Sequence, residues 1–78
     1  MKYYGKYSSG NIASETPYES DSKNALIKQM TKLAYANCVG MQPCYWAVWY
    51  NDENGRRILV AEGGKGYGGR KWKEIYVR

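Results

Sequence analysis

Histidine and phenylalanine are both missing from this chain, cysteine and proline occur twice each, and no uninterrupted apolar run is long enough to span a bilayer. Each absence excludes something. Without histidine the commonest general acid–base group is gone. Cys38 and Cys44, with no imidazole to join them and no C-x-x-C spacing, fall short of the ligand set of a structural zinc site. No metal and no cofactor is therefore expected, and catalysis would fall to Asp, Glu, Lys or Tyr. The acidic residues that stand close together, Glu15, Glu19 and Asp21, precede a helix start, where the helix dipole alone accounts for them. The expectation is a protein that is not an enzyme. The amino end, MKYYGKYSSG, carries no apolar signal segment, so a cytoplasmic location and no membrane partner are expected. In a reducing cytosol both cysteines are expected as thiols filling space beside the helix end, with an intramolecular disulfide as the alternative.

What is present is ring-rich and basic. The 78 residues form a single small domain, residues 1–78, in which 44% apolar residues alternate with polar ones, enough to fold but with a net stability on the order of 5 kcal/mol or less. Nine Tyr and three Trp supply rings with a polar handle, suited both to a small core and to wet binding surfaces. Twelve Lys and Arg against seven acidic residues give a net charge of +5, which favours a polyanion such as nucleic acid, or an acidic protein face.

Periodicity predicts an α+β fold. KYYGKY and NIASE read as two short strands about an SSGN turn. From Ser22 to about Asn37, Leu26, Ile27, Met30, Leu33 and Ala34 recur at helical spacing and form one buried stripe, with Asp21 or Ser20 as the cap. On the opposite face Lys28, Lys32 and Tyr35 follow one another at intervals of four and three, a basic strip beside a ring; a plain solvated helix face is the alternative. After Pro43, CYWAVWY and RRILVAE read as a hairpin joined through Asn54-Gly55, with Trp46, Val48 and Tyr50 on one side and Tyr45, Ala47 and Trp49 on the other. RKWKEIYVR, with its interspersed charges, reads as an edge strand. The expected architecture is a small antiparallel sheet of about five strands, in the order ββαβββ, with one helix packed on one face.

The stretch EGGKGYGGRKWKEIYVR raises the question of a phosphate cradle. Gly64, Gly66 and Gly69 satisfy G-x-G-x-x-G, but the loop leads into a strand pattern, whereas a dinucleotide site needs a helix there to meet the pyrophosphate. The Walker pattern also fails, because Gly69 is followed by Arg70 and Lys71. Two readings remain: a long hairpin connection that needs only conformational freedom, or a loop whose Lys65, Tyr67, Arg70 and Lys71, next to Trp72, follow a phosphate backbone and lay rings on bases. Arg56 and Arg57, just after the hairpin turn, would extend such a basic area.

The combination IASETPYESDSKNALIKQM, then WAVW, then a glycine-aromatic tail resembles in size and layout the short accessory proteins of phages and mobile elements, among them small anti-CRISPR proteins that pair one helix with an antiparallel sheet. The resemblance implies a non-catalytic protein acting in the cytoplasm of a host cell on a host nucleic-acid-handling complex. Because this chain is basic, mimicry of DNA is closed to it; it would occupy an acidic protein surface or touch nucleic acid directly. The alternative from the residues themselves is a protein–protein module or homodimer that packs an exposed ring face of Trp46 or Trp49 against another chain.

Overall fold

The computed structural model describes residues 1–9, 12–13, 16–36, 43–65 and 75–76. It is an α+β fold with one helix and one antiparallel sheet, running β1 (Tyr3–Ser9), β2 (Ile12–Ala13), β3 (Tyr18–Ser20), α1 (Lys23–Ala36), β4 (Cys44–Asn51), β5 (Arg57–Lys65) and β6 (Ile75–Tyr76). The order across the sheet is β2-β1-β4-β5-β6, and β3 pairs β1. β2 meets the end of β1 at Ser8 and Ser9, whereas β3 meets its start from Tyr3 to Gly5. The two thus lie end to end along one edge. β3 is absent from the expected ββαβββ order: Pro17 interrupts the sequence pattern, and the three residues that follow find their partner in a strand already formed.

The helix begins one residue later than its expected start. Ser22, not Asp21 or Ser20, is the cap: its Oγ accepts from the Ala25 amide at 3.2 Å and its carbonyl accepts from the Leu26 amide at 3.1 Å. Ser20 Oγ in turn accepts from the Ser22 amide, so two serines satisfy the backbone where strand passes into helix. Leu26, Met30 and Ala34, spaced by four, are fully buried, with Ile27 and Leu33 partly buried beside them.

Alternation assigns the sheet residues to faces. Tyr3 opposes Tyr50, Gly5 opposes Val48, Tyr7 opposes Trp46 and Ser9 opposes Cys44, and this face receives α1. Trp46 and Val48 are wholly buried with Val60 and Ala61 against the helix stripe. Tyr3 and Tyr50 meet edge to face with ring centroids 6.1 Å apart at the rim. Gly5 is where the helix seats most closely: a Cβ there would stand 2.7 Å from Met30 Cγ and 2.9 Å from its Sδ. Buried Ser9 donates its hydroxyl to the Ala34 carbonyl at 2.7 Å, supplying a partner to one of the last carbonyls of the helix.

The β4–β5 connection, residues 52–56, closes where the Asp52 amide donates to the Arg56 carbonyl at 2.9 Å, leaving a three-residue loop. The Gly55 amide donates to the Asp52 carbonyl at 3.0 Å, Gly55 takes φ 78°, and the Asp52 carboxylate accepts from the Asn54 and Arg56 amides. Only the glycine of the Asn54-Gly55 pair adopts positive φ, which makes this a type I turn followed by a left-handed glycine. Further along, the register shifts between Val48 and Trp49, and the extra residue, Val60, enters the core.

Gly63 and Gly64 correct the loop reading of the glycine-rich stretch. Both lie within β5, opposite Trp46 and Tyr45. Gly64 has φ 154°, and a Cβ there would run into the Cys44 carbonyl oxygen, so glycine is needed for the close approach of two strands and not for mobility. Of the expected last strand RKWKEIYVR, Ile75 and Tyr76 form β6, which among the described residues pairs β5 alone and lies at the sheet edge.

Candidate functional site

The face of the sheet turned away from α1 carries polar and aromatic groups in rows that cross the strands. Glu19, Tyr4, Trp49 and Leu59 form one row, Lys6, Ala47 and Glu62 the next, and Ser8, Tyr45 and Gly64 the third. Among the described residues no helix and no second sheet covers it.

The first row holds a stack of planar groups. Tyr4 and Trp49 lie with centroids 6.2 Å apart and planes inclined by 24°, an offset stack. The Arg57 guanidinium sits 4.2 Å from the centroid of the Trp49 ring, within cation–π range. Arg57 opens β5 opposite Asn51 and is exposed, as are Glu53, Asn54, Gly55 and Arg56 of the adjoining turn. Trp49 beneath it is only 4% exposed.

In the second and third rows, Tyr45 donates its hydroxyl to Glu62 Oε2 at 2.8 Å. Burial first, and then the hydrogen bond and charge of Glu62, push the Tyr45 phenol up to about 12, so it stays a protonated donor through the neutral range. Glu62 is thereby held against the sheet, while Lys6 stands opposite Ala47 on the neighbouring strand. The face thus presents Lys6 and Arg57 among rings, with Glu62 engaged by Tyr45 and with Glu19, opposite Tyr4 on β3, engaged by Lys2 at 3.6 Å. Among the described residues no three Cys, Asp or Glu side chains gather into a metal site, and no helix is long and apolar enough to cross a membrane.

The residues expected from the sequence to form a site are divided by the fold. Lys28 and Lys32 are exposed and Tyr35 half-buried on the outer side of α1, and α1 packs on the opposite face of the sheet from Arg57. The helix strip and the Arg57 stack therefore look in opposite directions. Arg56 is exposed in the turn beside Arg57. Lys65 ends β5; Tyr67, Arg70, Lys71, Trp72 and Cys38 lie outside the described residues. The expectation of an exposed tryptophan face is corrected: Trp46 is 0% exposed in the core and Trp49 is covered by its neighbours. Tyr4, Lys6, Tyr45 and Glu62 escaped the sequence reading as site residues, although the alternation in KYYGKY already sets Tyr4 and Lys6 on one side of a strand.

No protein-family model matches the chain, and neither a curated protein nor a solved structure is found that matches it.

Proposed function

We propose that this chain is a small, non-enzymatic binding protein that engages nucleic acid, alone or as held by a nucleic-acid-handling complex, through the sheet face opposite its helix. The observation that carries the reading is the Arg57 guanidinium lying over Trp49, itself stacked on Tyr4, with Lys6 in the adjoining row. Rings and cations side by side on one sheet face are the device by which sheet-based modules hold bases and phosphates together. The net charge of +5 supports the same partner through long-range attraction. Lys28 and Lys32, on the far side, add to that field without touching the same strand. The layout resemblance to small anti-CRISPR proteins fits a basic inhibitor that reaches nucleic acid inside a host effector complex.

Fluorescence anisotropy with labelled single- and double-stranded DNA and RNA at two salt concentrations tests the reading. Binding at low salt that weakens steeply as salt rises is expected, because each neutralised phosphate releases counterions. The double reversal Lys6→Glu with Arg57→Glu should abolish it, whereas Lys28→Glu with Lys32→Glu should weaken it only modestly. Absence of binding to all four nucleic acids at low salt removes this function and leaves an acidic protein surface as the partner to seek.

A further inference from the structure

Trp49 occupies a position that calls for explanation. It lies on the sheet face that no described element covers, yet it is as hidden as a core residue, at 4% exposure. Two planar groups lie against it: the Tyr4 ring and the Arg57 guanidinium. Arg57 is itself exposed, at the start of β5 beside an exposed turn, so water reaches the outer side of the guanidinium that shields the ring.

We infer that Trp49 is a stacking platform for one unpaired base of a single-stranded nucleic acid, and that Arg57 is its exchangeable cover. The inference rests on the nucleic-acid reading above. A base and a guanidinium are both flat and lie at similar distances over an indole. An exposed cation–ring contact is the weaker of the two arrangements, and a base–ring stack the stronger. When a base takes the ring, the displaced guanidinium remains tethered within reach of that nucleotide's phosphate, where a planar fork of donors forms its best pairing. The ring therefore gains a better partner and the cation finds a new one. Bases of a duplex already stack on one another and cannot make this exchange without being unpaired, so the site discriminates strand state. Tyr4, Trp49 and Leu59 offer faces and apolar surface, and the carboxylate at the end of the row, Glu19, is engaged by Lys2 at 3.6 Å, which predicts little sequence preference.

The test compares a labelled dT12 strand with an abasic strand of the same length and charge, and with a dT12–dA12 duplex, using the full chain in anisotropy titrations and in tryptophan emission. The wild type should bind dT12 about tenfold more tightly than the abasic strand and show quenching with dT12 alone. Trp49→Leu, its fold checked by circular dichroism, should reduce that preference to near unity and remove the quenching. Arg57→Ala, a surface change that keeps the fold, should lower the salt slope by about one phosphate while leaving the dT12 preference in place. Equal affinity for dT12 and the abasic strand, or loss of the preference in Arg57→Ala, overturns the platform while leaving nucleic-acid binding intact. Failure to bind any of the three probes at low salt overturns the broader reading instead.

Discussion

The two faces of this sheet each hide a tryptophan in β4, and they do so by different physics. Trp46 is sealed at 0% exposure by apolar groups, namely α1 with Leu26, Met30 and Ala34, and the strand residues Val48, Val60 and Ala61. Trp49, three residues on and on the reverse side, has the Tyr4 ring and the Arg57 guanidinium against it. Burial under a helix is cooperative with the fold, since uncovering Trp46 means lifting fourteen residues and exposing the whole core. Burial under a guanidinium is a local contact worth about 1 kcal/mol at a surface, and a side-chain rotation undoes it. Similar exposures, 0% for Trp46 and 4% for Trp49, therefore describe a permanent interior on one side and a removable contact on the other.

The strongest challenge to that contrast is a pair of truncations. Met30→Ala, on the helix side, is expected to cost about 2–5 kcal/mol because Met30 is wholly buried and the helix cannot collapse onto the space it leaves. That approaches the whole stability of a domain this size, so the variant should melt far below the wild type. Tyr4→Ala, on the other side, should cost about 1 kcal/mol, the worth of a stacked aromatic pair, lowering Tm by roughly 4–8 °C. Comparable losses in urea or thermal denaturation would show that the two faces are equally structural.

Gly5 sharpens the same contrast with a smaller effect. A methyl group at this position would press on Met30 Cγ and Sδ, with Leu26 Cγ at 3.3 Å, so Gly5→Ala should destabilise by about 1–3 kcal/mol through overpacking. The double variant Gly5→Ala with Met30→Ala is the sharper measurement. The new methyl would enter the space that Met30 vacates, and the combined loss should fall short of the sum of the two single losses. Additive losses would mean that Gly5 is needed for a reason other than admitting the helix.

What could be read in advance from the sequence was local. The helix stripe, the hairpin turn at Asn54-Gly55 and the division of Trp46, Val48 and Tyr50 from Tyr45, Ala47 and Trp49 all follow from the residues within one segment. What could not be read depended on pairing across the chain. Gly63 and Gly64 look like loop residues until Cys44 is placed against Gly64. β3 is too short to announce itself and exists because Tyr3–Gly5 receives it. Lys28 and Arg57 carry the same charge, and only the seating of α1 on the reverse face shows that they point apart. The Tyr4–Trp49–Arg57 stack is legible in no single stretch, since its members come from three strands that become neighbours only when the sheet forms.

The smallest expected effect concerns the helix-free face alone and appears only in alkali. The Tyr45 phenol, raised to about 12 from 10.0 by burial and then by Glu62, keeps its proton in the folded chain after the unfolded chain has lost it. Between those two values the folded state binds more protons, so stability must fall as pH rises; below pH 10 the contribution is fully present. The Tyr7 phenol, raised by burial and then by Tyr18, adds to the fall from the helix side. Tyr45→Phe should flatten the alkaline decline in the urea midpoint without abolishing it, by at most about 1 kcal/mol, since the group is half-exposed and solvent screens its interactions. Glu62→Gln should flatten it less than Tyr45→Phe does, because burial is the larger cause and survives the loss of the carboxylate. If Glu62→Gln removed the entire Tyr45 effect, the phenol would be held up by the charge alone, and the helix-free face would be wetter around Tyr45 than its burial implies.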